Sequence, residues 1–319
     1  MSKTKFIRLS KSCIGKEEKK AVLEVLDREF LGMGEEVKKF EEELSSFFGR
    51  EAVCVVNGTA ALHLALEACD IGSGDEVLVP SITYLASFQA ISATGAKPVA
   101  CDIDEVSCLI DINDLKKRIT KNTKAIMPVH YCGGVGNLKE IYNIAQLNGI
   151  RVIEDAAHSF GTVYNGQRVG GFGDIACFSF DGIKNITSGE GGCIVSSDKK
   201  VLKRVKDSRL LGVEKDTEKR YAGERSWTFD VKRQGWRYHM SNIMAAIGIQ
   251  QLKSFNKIAK KRQKLAKQYD MLLSTNPLVS IFEHDYEHVV PHIYVIRIVG
   301  LKNRAELQRN LLEEGIQTG

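Results

Sequence analysis

The sequence predicts an α/β protein: a large, mixed, mostly parallel sheet flanked by helices, with a smaller α/β unit at the C-terminal end. Three observations predict it. Between about residues 52 and 155, short β-type runs that are apolar along their length alternate with segments of helical period. Strands apolar on both faces are what a parallel sheet covered by helices requires. After Gly161 two strand-like runs follow with no full helix between them, and beyond about residue 240 come a long helical pattern, one strand and one more helix. The expected division is a large domain over 1–240 and a small one over 241–319.

Each element has its own signal. Residues 15–30 and 35–48 set apolar positions among charged ones at helical spacing, and Gly32 and Gly34 break between them. AVCVV at 52–56 is the first strand, and NGTAALHLALEAC after it repeats Leu and Ala at helical spacing. EVLVP (76–80) precedes a helix over about 82–93, and KPVACDI (97–103) one around Asn113 to Ile119. KAIMPVH (124–130) comes before the helix NLKEIYNIAQLNG, and RVIEDAA starts a strand at Arg151. DIACFSF (174–180) and GGCIVSS (191–197) are the strand pair. The polar, irregular stretch 213–238 reads as a long excursion that contacts a partner. One long helix is expected from near Ser241 to Leu273, then the strand HIYVIRIVG and the helix AELQRNLLEE.

Composition narrows the function. With 319 residues, 43% hydrophobic and 27% charged, the chain is not disordered and can bury a sizeable core. A net charge of +5 suits a small anionic substrate and is too small to argue for nucleic acid. No apolar run approaches the roughly 18 to 20 residues of a membrane span, and the first twenty residues hold no apolar stretch of signal-peptide length. The eight cysteines stand singly with no CxxC pair, as reduced and mostly buried small hydrophobes do. A cytoplasmic enzyme acting on a small molecule, with no nucleic-acid or membrane partner, is the expectation. Neither a GxGxxG fingerprint nor a P-loop is present, so a dinucleotide or NTP enzyme lacks its phosphate motif.

Three features carry chemistry. Asp155 ends an otherwise apolar strand, at the edge where open α/β sheets bind ligands. Lys184 follows a buried strand in FSFDGIKNITSGEGG, and a lysine held among apolar and glycine residues loses its proton more easily and can form a Schiff base. NGTAAL (57–62) joins a strand to a helix start through small residues, presenting backbone N–H groups to a phosphate. Together they match what pyridoxal 5′-phosphate demands: a lysine, a carboxylate for the pyridine nitrogen and an anion cradle. Singly, each has a plainer explanation, since most lysines are solvated and a strand-end aspartate is often a helix cap.

Order and wording add to this. NGTAALHLAL, PSITYLAS, PVHYCGG, EDAAHSFGT, GDIACFSFDGIKNITSGEGG and GWRYHMSNIMAAIGIQQL follow one another as in the DegT–DnrJ–StrS sugar aminotransferases of fold type I, which the chain resembles from about Leu9 to its last residue. The resemblance implies that the large domain binds cofactor and that Lys184 forms the Schiff base and shuttles protons between substrate and cofactor carbons. It implies Asp155 as partner of the pyridine nitrogen, Thr59 and Ala60 as backbone donors to the phosphate, and Ser179 as a hydroxyl that joins them. Tyr84 would stack on one face of the cofactor ring and Ala157 pack on the other. His158 stands where relatives carry His, Gln or Glu beside cofactor and sugar; it reads equally as a structural histidine satisfied by backbone. The implied reaction moves an amino group from an amino acid, glutamate, to a nucleotide-linked keto-sugar, in active sites shared between the subunits of a homodimer.

Several positions depart from the family pattern. The usual NYRM is Arg237-Tyr238-His239-Met240 here. In the family that asparagine reaches the phosphate in the neighbouring subunit; Arg237 either does the same with a full charge or points elsewhere, and Asn242 is a nearby alternative. The usual HLYG is His130-Tyr131-Cys132-Gly133, which reshapes the sugar pocket. Relatives continue past the position of Gly319 with a sugar-proximal His-Tyr-Pro stretch, so the small domain is expected to be incomplete. A dehydratase branch replaces the lysine by histidine; Lys184 therefore favours transamination over that alternative, and over a non-catalytic, cofactor-binding sensory relative.

Two further signals are set aside. His284 to His288 matches an HxxEH zinc pattern, with His292 beyond it, but Val289, Val290 and Pro291 oppose a continuous helix. On a strand, residues four apart lie about 13 Å from each other, too far to share one ion. Residues 253–267 hold seven basic residues and no acidic one. Leu252, Phe255, Ile258, Leu265 and Tyr269 are expected to form a core-facing stripe, with the charges solvated.

Overall fold

The computed structural model describes residues 6–282 and 284–319. Helices α1 (Lys16–Asp27) and α2 (Glu35–Phe48) precede strand β1 (Ala52–Val55). Then α3 (Gly58–Ala68), β2 (Glu76–Pro80), α4 (Leu85–Ala93), β3 (Lys97–Cys101), α5 (Ile112–Arg118) and β4 (Thr123–Ile126) alternate. A short 3₁₀ turn at Tyr131–Gly133 leads to α6 (Leu138–Asn148) and β5 (Arg151–Asp155). The two-residue strands β6 (Val163–Tyr164) and β7 (Gln167–Arg168) form a small hairpin ahead of β8 (Ile175–Ser179) and β9 (Gly192–Ser196). Helices α7 (Lys199–Ser208), α8 (Asp216–Tyr221), α9 (Asn242–Lys253) and α10 (Phe255–Leu273) come next, and β10 (Val279–Ile281), β11 (Ile296–Ile298) and α11 (Arg304–Glu313) complete the chain.

The main sheet has seven strands in the order β1-β9-β8-β5-β4-β2-β3. β3, β2, β4, β5 and β8 pair in parallel; β9 is antiparallel to both β8 and β1. The sequence signals this mixture, because β8 and β9 have no helix between them to carry a parallel crossover. In register, Cys54 faces Cys193, and Asp155 faces Cys177. β1, β8 and β9 are buried along their whole length, which is why they read as continuous apolar runs.

Two apolar layers enclose the sheet. On one side α3 buries Leu62, Leu64 and Leu66 against Val53, Ile153, Ile175 and Ile194. On the other, Phe40, Phe48, Phe160, Phe178, Phe180 and Phe255 form a single aromatic cluster. Phe48 stacks on Phe178 at 4.8 Å, and Phe160 meets Phe255 edge-on at 5.2 Å. Each such buried ring contributes about 1.5–3 kcal/mol of transfer free energy. Gly161 makes this packing possible: its φ is +84° and a Cβ there would overlap the Phe255 ring.

Three expectations are corrected. The long helix over 241–273 is broken at Ser254 into α9 and α10, because α9 packs on α1 and α2 while α10 follows the aromatic cluster through Phe255. The inward stripe of α10 is Phe255, Ala259 and Ala266; Leu265 and Tyr269 are exposed at 47% and 48%. The strand HIYVIRIVG shrinks to Ile296–Ile298, paired only with β10. The excursion over 213–238 also holds a short helix, α8, anchored from inside by Tyr221.

Candidate active site

Because β2, β4, β5 and β8 run in parallel, their carboxyl ends share one rim, and β1, antiparallel to β9, ends there too. Asn57 to Thr59 follow β1, Thr83 and Tyr84 follow β2, His130 follows β4, Asp155 ends β5 and Ser179 ends β8. The connection from β8 to β9 crosses the same rim and carries Lys184. This is the edge at which α/β sheets bind ligands.

Asp155 is 6% exposed, and its two oxygens are separately held. Oδ2 accepts from Ser87 Oγ at 2.7 Å, and Oδ1 accepts the Ala157 N–H at 3.2 Å. Ser87 is fully buried on α4 and shares a 2.7 Å hydrogen bond with Thr83 Oγ1. Since the Ser87 proton goes to Asp155, Thr83 is the donor to Ser87. The preceding residue, Glu154, points to the opposite face of the strand, where His130 Nε2 lies at 2.7 Å and Tyr142 donates at 2.6 Å. A hydrogen-bonded network therefore backs the strand end that presents Asp155.

Lys184 is half-buried, and burial pulls its ammonium below its ordinary value against the attraction of Asp155 and Asp181. Its loop is pinned from below: Asn185 Nδ2 donates to the carbonyls of Phe160 and Val290 at 3.2 and 3.1 Å. Lys184 Nζ meets His292 Nε2 at 3.5 Å, and the His292 ring lies 4.5 Å from that of His158. Burial, with the charges of Lys184 and His130, brings His158 down to about 3. Its Nδ1 is buried without a hydrogen-bond partner among the described residues, so no backbone group there satisfies that atom.

At the start of α3, Asn57 Oδ1 accepts the Ala60 N–H at 2.8 Å. The Ala60 amide is therefore engaged by the cap, while the first-turn N–H groups of Gly58 and Thr59 have no acceptor within the helix. Ser179 packs on Gly58, where a Cβ would come within 2.8 Å of Ser179 Cβ. Tyr84 caps α4 with its ring 75% exposed, and Ala157 is half-buried beside Asp155. Arg237 is exposed on a segment bridged to Leu210. Asn242 is 1% exposed at the start of α9, and its Nδ2 donates to Phe30 O, in the turn after α1, at 3.0 Å.

The sequence profile of the DegT/DnrJ/EryC1/StrS aminotransferase family matches residues 12–319. The chain belongs to that family. Among its relatives, the spore coat polysaccharide biosynthesis protein SpsC of Bacillus subtilis is 37% identical over 295 residues, 92% of this chain and 76% of SpsC. Of solved structures, the Streptococcus pneumoniae protein Spr1654, provisionally described as a sugar aminotransferase, superimposes with a TM-score of 0.90 in its PLP form. That match has 28% identity and covers 98% of this chain and 83% of the other. The sugar aminotransferase CalS13 of Micromonospora echinospora gives a TM-score of 0.88 at 29% identity, over 98% and 85% of the two chains.

The family is pyridoxal-phosphate-dependent and its fold is type I. The residues present fit that cofactor. Gly58 lets Ser179 sit directly against the α3 N-terminus, where a Cβ would press on Ser179 Cβ at 2.8 Å, and a helix start whose first N–H groups have no acceptor within the helix suits a phosphate. A carboxylate with both oxygens fixed and a lysine depressed by burial stand on the same rim.

Sequence reasoning missed Ser87, His292 and Arg262. Ser87 lies three residues after Tyr84, on one helical face with it, a spacing that could have pointed to it. His292 was grouped with His284 and His288; the structure puts residues 286–288 in a turn and sends His292 to Lys184. Arg262 sits among lysines in a basic run and had no distinguishing signal.

Proposed function

We propose that this protein transfers an amino group from glutamate to a nucleotide-linked keto-sugar, giving an amino sugar. The observation that carries the reading is the pairing on one rim of a burial-depressed lysine, Lys184, with the doubly anchored carboxylate of Asp155. Bound pyridoxal phosphate would supply an electron-withdrawing ring that accepts the electrons released at a substrate carbon. Asp155 would hold the pyridine-nitrogen end, and Thr59, Ala60 and Ser179 would hold the phosphate. Tyr84 and Ala157 would pack against the ring, with His158 beside it.

Lys184 does the proton work. In its neutral form it takes a proton from the donor's α-carbon on Nζ, and in the second half-reaction it returns a proton to the sugar carbon. Its depressed basicity favours the neutral form, and Asp155 and Asp181 keep it basic enough to accept. Arg237, in place of the family asparagine, would meet the phosphate of a second subunit, and the proposed working form is a homodimer with shared sites. The setting is the cytoplasm, where amino-acid donor and activated sugars are both available.

A lysine in this position favours amine transfer over dehydration, and the intact Lys184–Asp155 pair opposes a purely sensory role. The test is an absorbance spectrum of protein supplied with pyridoxal phosphate, before and after glutamate, with Lys184→Ala as control. A visible-edge band that moves to the ultraviolet only with Lys184 present supports the reading. No band in the wild-type protein overturns it. A band that glutamate leaves unchanged but another amino acid shifts overturns the choice of donor.

A further inference from the structure

Arg262 is the most unusual cation near the site. It is half-buried on α10, and its guanidinium is spent on backbone carbonyls from two different segments. Nη1 donates to Pro291 O at 3.4 Å and His292 O at 2.9 Å; Nη2 donates to Ile183 O and Lys184 O, both at 3.3 Å. Burial lowers it below its ordinary value. The planar fork of an arginine can hold two strands of backbone at a fixed separation, which a lysine's single point charge cannot. The two residues so clamped are the ones whose side chains meet, Lys184 Nζ and His292 Nε2.

His292 is 9% exposed, and its Nδ1 is buried with no hydrogen-bond partner among the described residues. Burial, reinforced by the neighbouring His158 ring and the positive charges of Lys184 and Arg262, holds the ring well below its ordinary value, so it stays neutral. A neutral imidazole has one acceptor nitrogen, and an ammonium has three donors and no acceptor. When Lys184 carries its charge the pair is therefore matched in one sense: the ammonium donates and His292 Nε2 accepts.

Resting on the function proposed above, we infer that His292, clamped by Arg262, is a positioning residue that accepts a hydrogen bond from the Lys184 ammonium. That ammonium exists in the interval between taking a proton from one carbon and returning it to another. The bond directs Nζ and keeps the proton on it without offering an escape route, since the histidine does not itself take the proton. No other bond forms or breaks at His292.

The test uses two readouts. Competitive acetylation of the protein's lysines at a series of pH values, resolved by peptide mass spectrometry, titrates Lys184 without cofactor. Removing the acceptor in His292→Phe is expected to shift the Lys184 midpoint down by about one pH unit, a tenfold change. His292→Gln, which keeps an acceptor, and the wild type should titrate alike. Arg262→Gln should move in the direction of His292→Phe. Asp155 and Asp181, the acidic groups that face Lys184, are unchanged in all four proteins.

The second readout is the single-turnover rate of the glutamate-driven band shift in protein loaded with pyridoxal phosphate. A fall of about 10- to 100-fold in His292→Phe, with the glutamate KM little changed and partial rescue in His292→Gln, is expected. An unshifted Lys184 midpoint in His292→Phe overturns the inference, whatever the enzyme does. A shifted midpoint in a protein whose wild type never responds to an amino acid upholds the contact and sinks the aminotransferase reading instead. If His292→Phe does not fold, Arg262→Gln carries the test: a Lys184 midpoint at the wild-type value would overturn the clamp.

Discussion

Ser87 Oγ lies 2.7 Å from Asp155 Oδ2, joining the first buried turn of α4 to the carboxyl end of β5 across the sheet rim. The contact fixes the orientation of a carboxylate that would otherwise rotate. It also links two elements that approach the rim from different strands, and its donor is in turn held by Thr83. The acid is thus set in place by the protein before any ligand arrives.

Ser87→Ala should therefore weaken cofactor binding more than it weakens the fold. Removing a hydrogen bond to a charged group costs about 1.5–3 kcal/mol, and here that cost falls on the group that would meet the pyridine nitrogen. We expect pyridoxal phosphate to bind about 10- to 100-fold more weakly, measured by absorbance titration of the apo protein, with a thermal midpoint within a few degrees of wild type. Unchanged affinity would mean that Ala157 alone suffices to orient Asp155.

The contrast between Ser87 and Asp155 marks where sequence reading stops. Asp155, Lys184 and the NGTAAL turn were legible because each combines a residue type with a place on a strand or helix end, and topology then gathers strand ends at one rim. The parallel strands were legible for the same reason: a strand buried on both faces has to be apolar throughout. Ser87, Arg262 and His292 gain their meaning from contacts 68, 78 and 108 residues away in sequence. No periodicity encodes such contacts. The break at Ser254 was invisible for a related reason, since Ser254 keeps helical dihedrals and only the packing of α9 on α1 and α2 forces the turn.

A second prediction concerns the excursion over 213–238. Arg209 is fully buried, and its Nη1 contacts Glu41 and the Cys54 carbonyl, while Tyr221 donates to the other Glu41 oxygen. Burial alone would lower the guanidinium, but Glu41 and Tyr221 outweigh it and hold it above its ordinary value. Breaking a buried pair by removing one partner costs about 3–5 kcal/mol, because the other charge is left uncompensated. Glu41→Gln should lower stability by that order, read from chemical denaturation. Tyr221→Phe, which leaves the ion pair intact, should cost about 1–3 kcal/mol and expose α8 to proteolysis first. Equal losses for the two variants would show that the hydroxyl, not the charge pair, carries the network.

Histidine burial gives the last prediction, on pH. Of seven histidines, five are held below their ordinary value mainly by burial: His63, His158, His239, His284 and His292. His158 stands at about 3 and His239 at about 4 in the fold, against about 6.5 for a histidine in an unfolded chain. Above about 6.5 both states are neutral and stability does not depend on these groups. Below it the unfolded chain binds protons that the native state refuses, so the free energy of unfolding falls as pH falls. The slope is up to about 1.4 kcal/mol per pH unit for each histidine, until pH reaches the native value. Urea midpoints should accordingly be flat from pH 8 to 7 and drop steeply from 6.5 to 5, before most carboxylates titrate. His239→Gln should reduce the slope by about one histidine's share, on the order of 1 kcal/mol per pH unit. A midpoint that stays level down to pH 5 would mean that the buried rings take up protons within the fold, contrary to the environments described above.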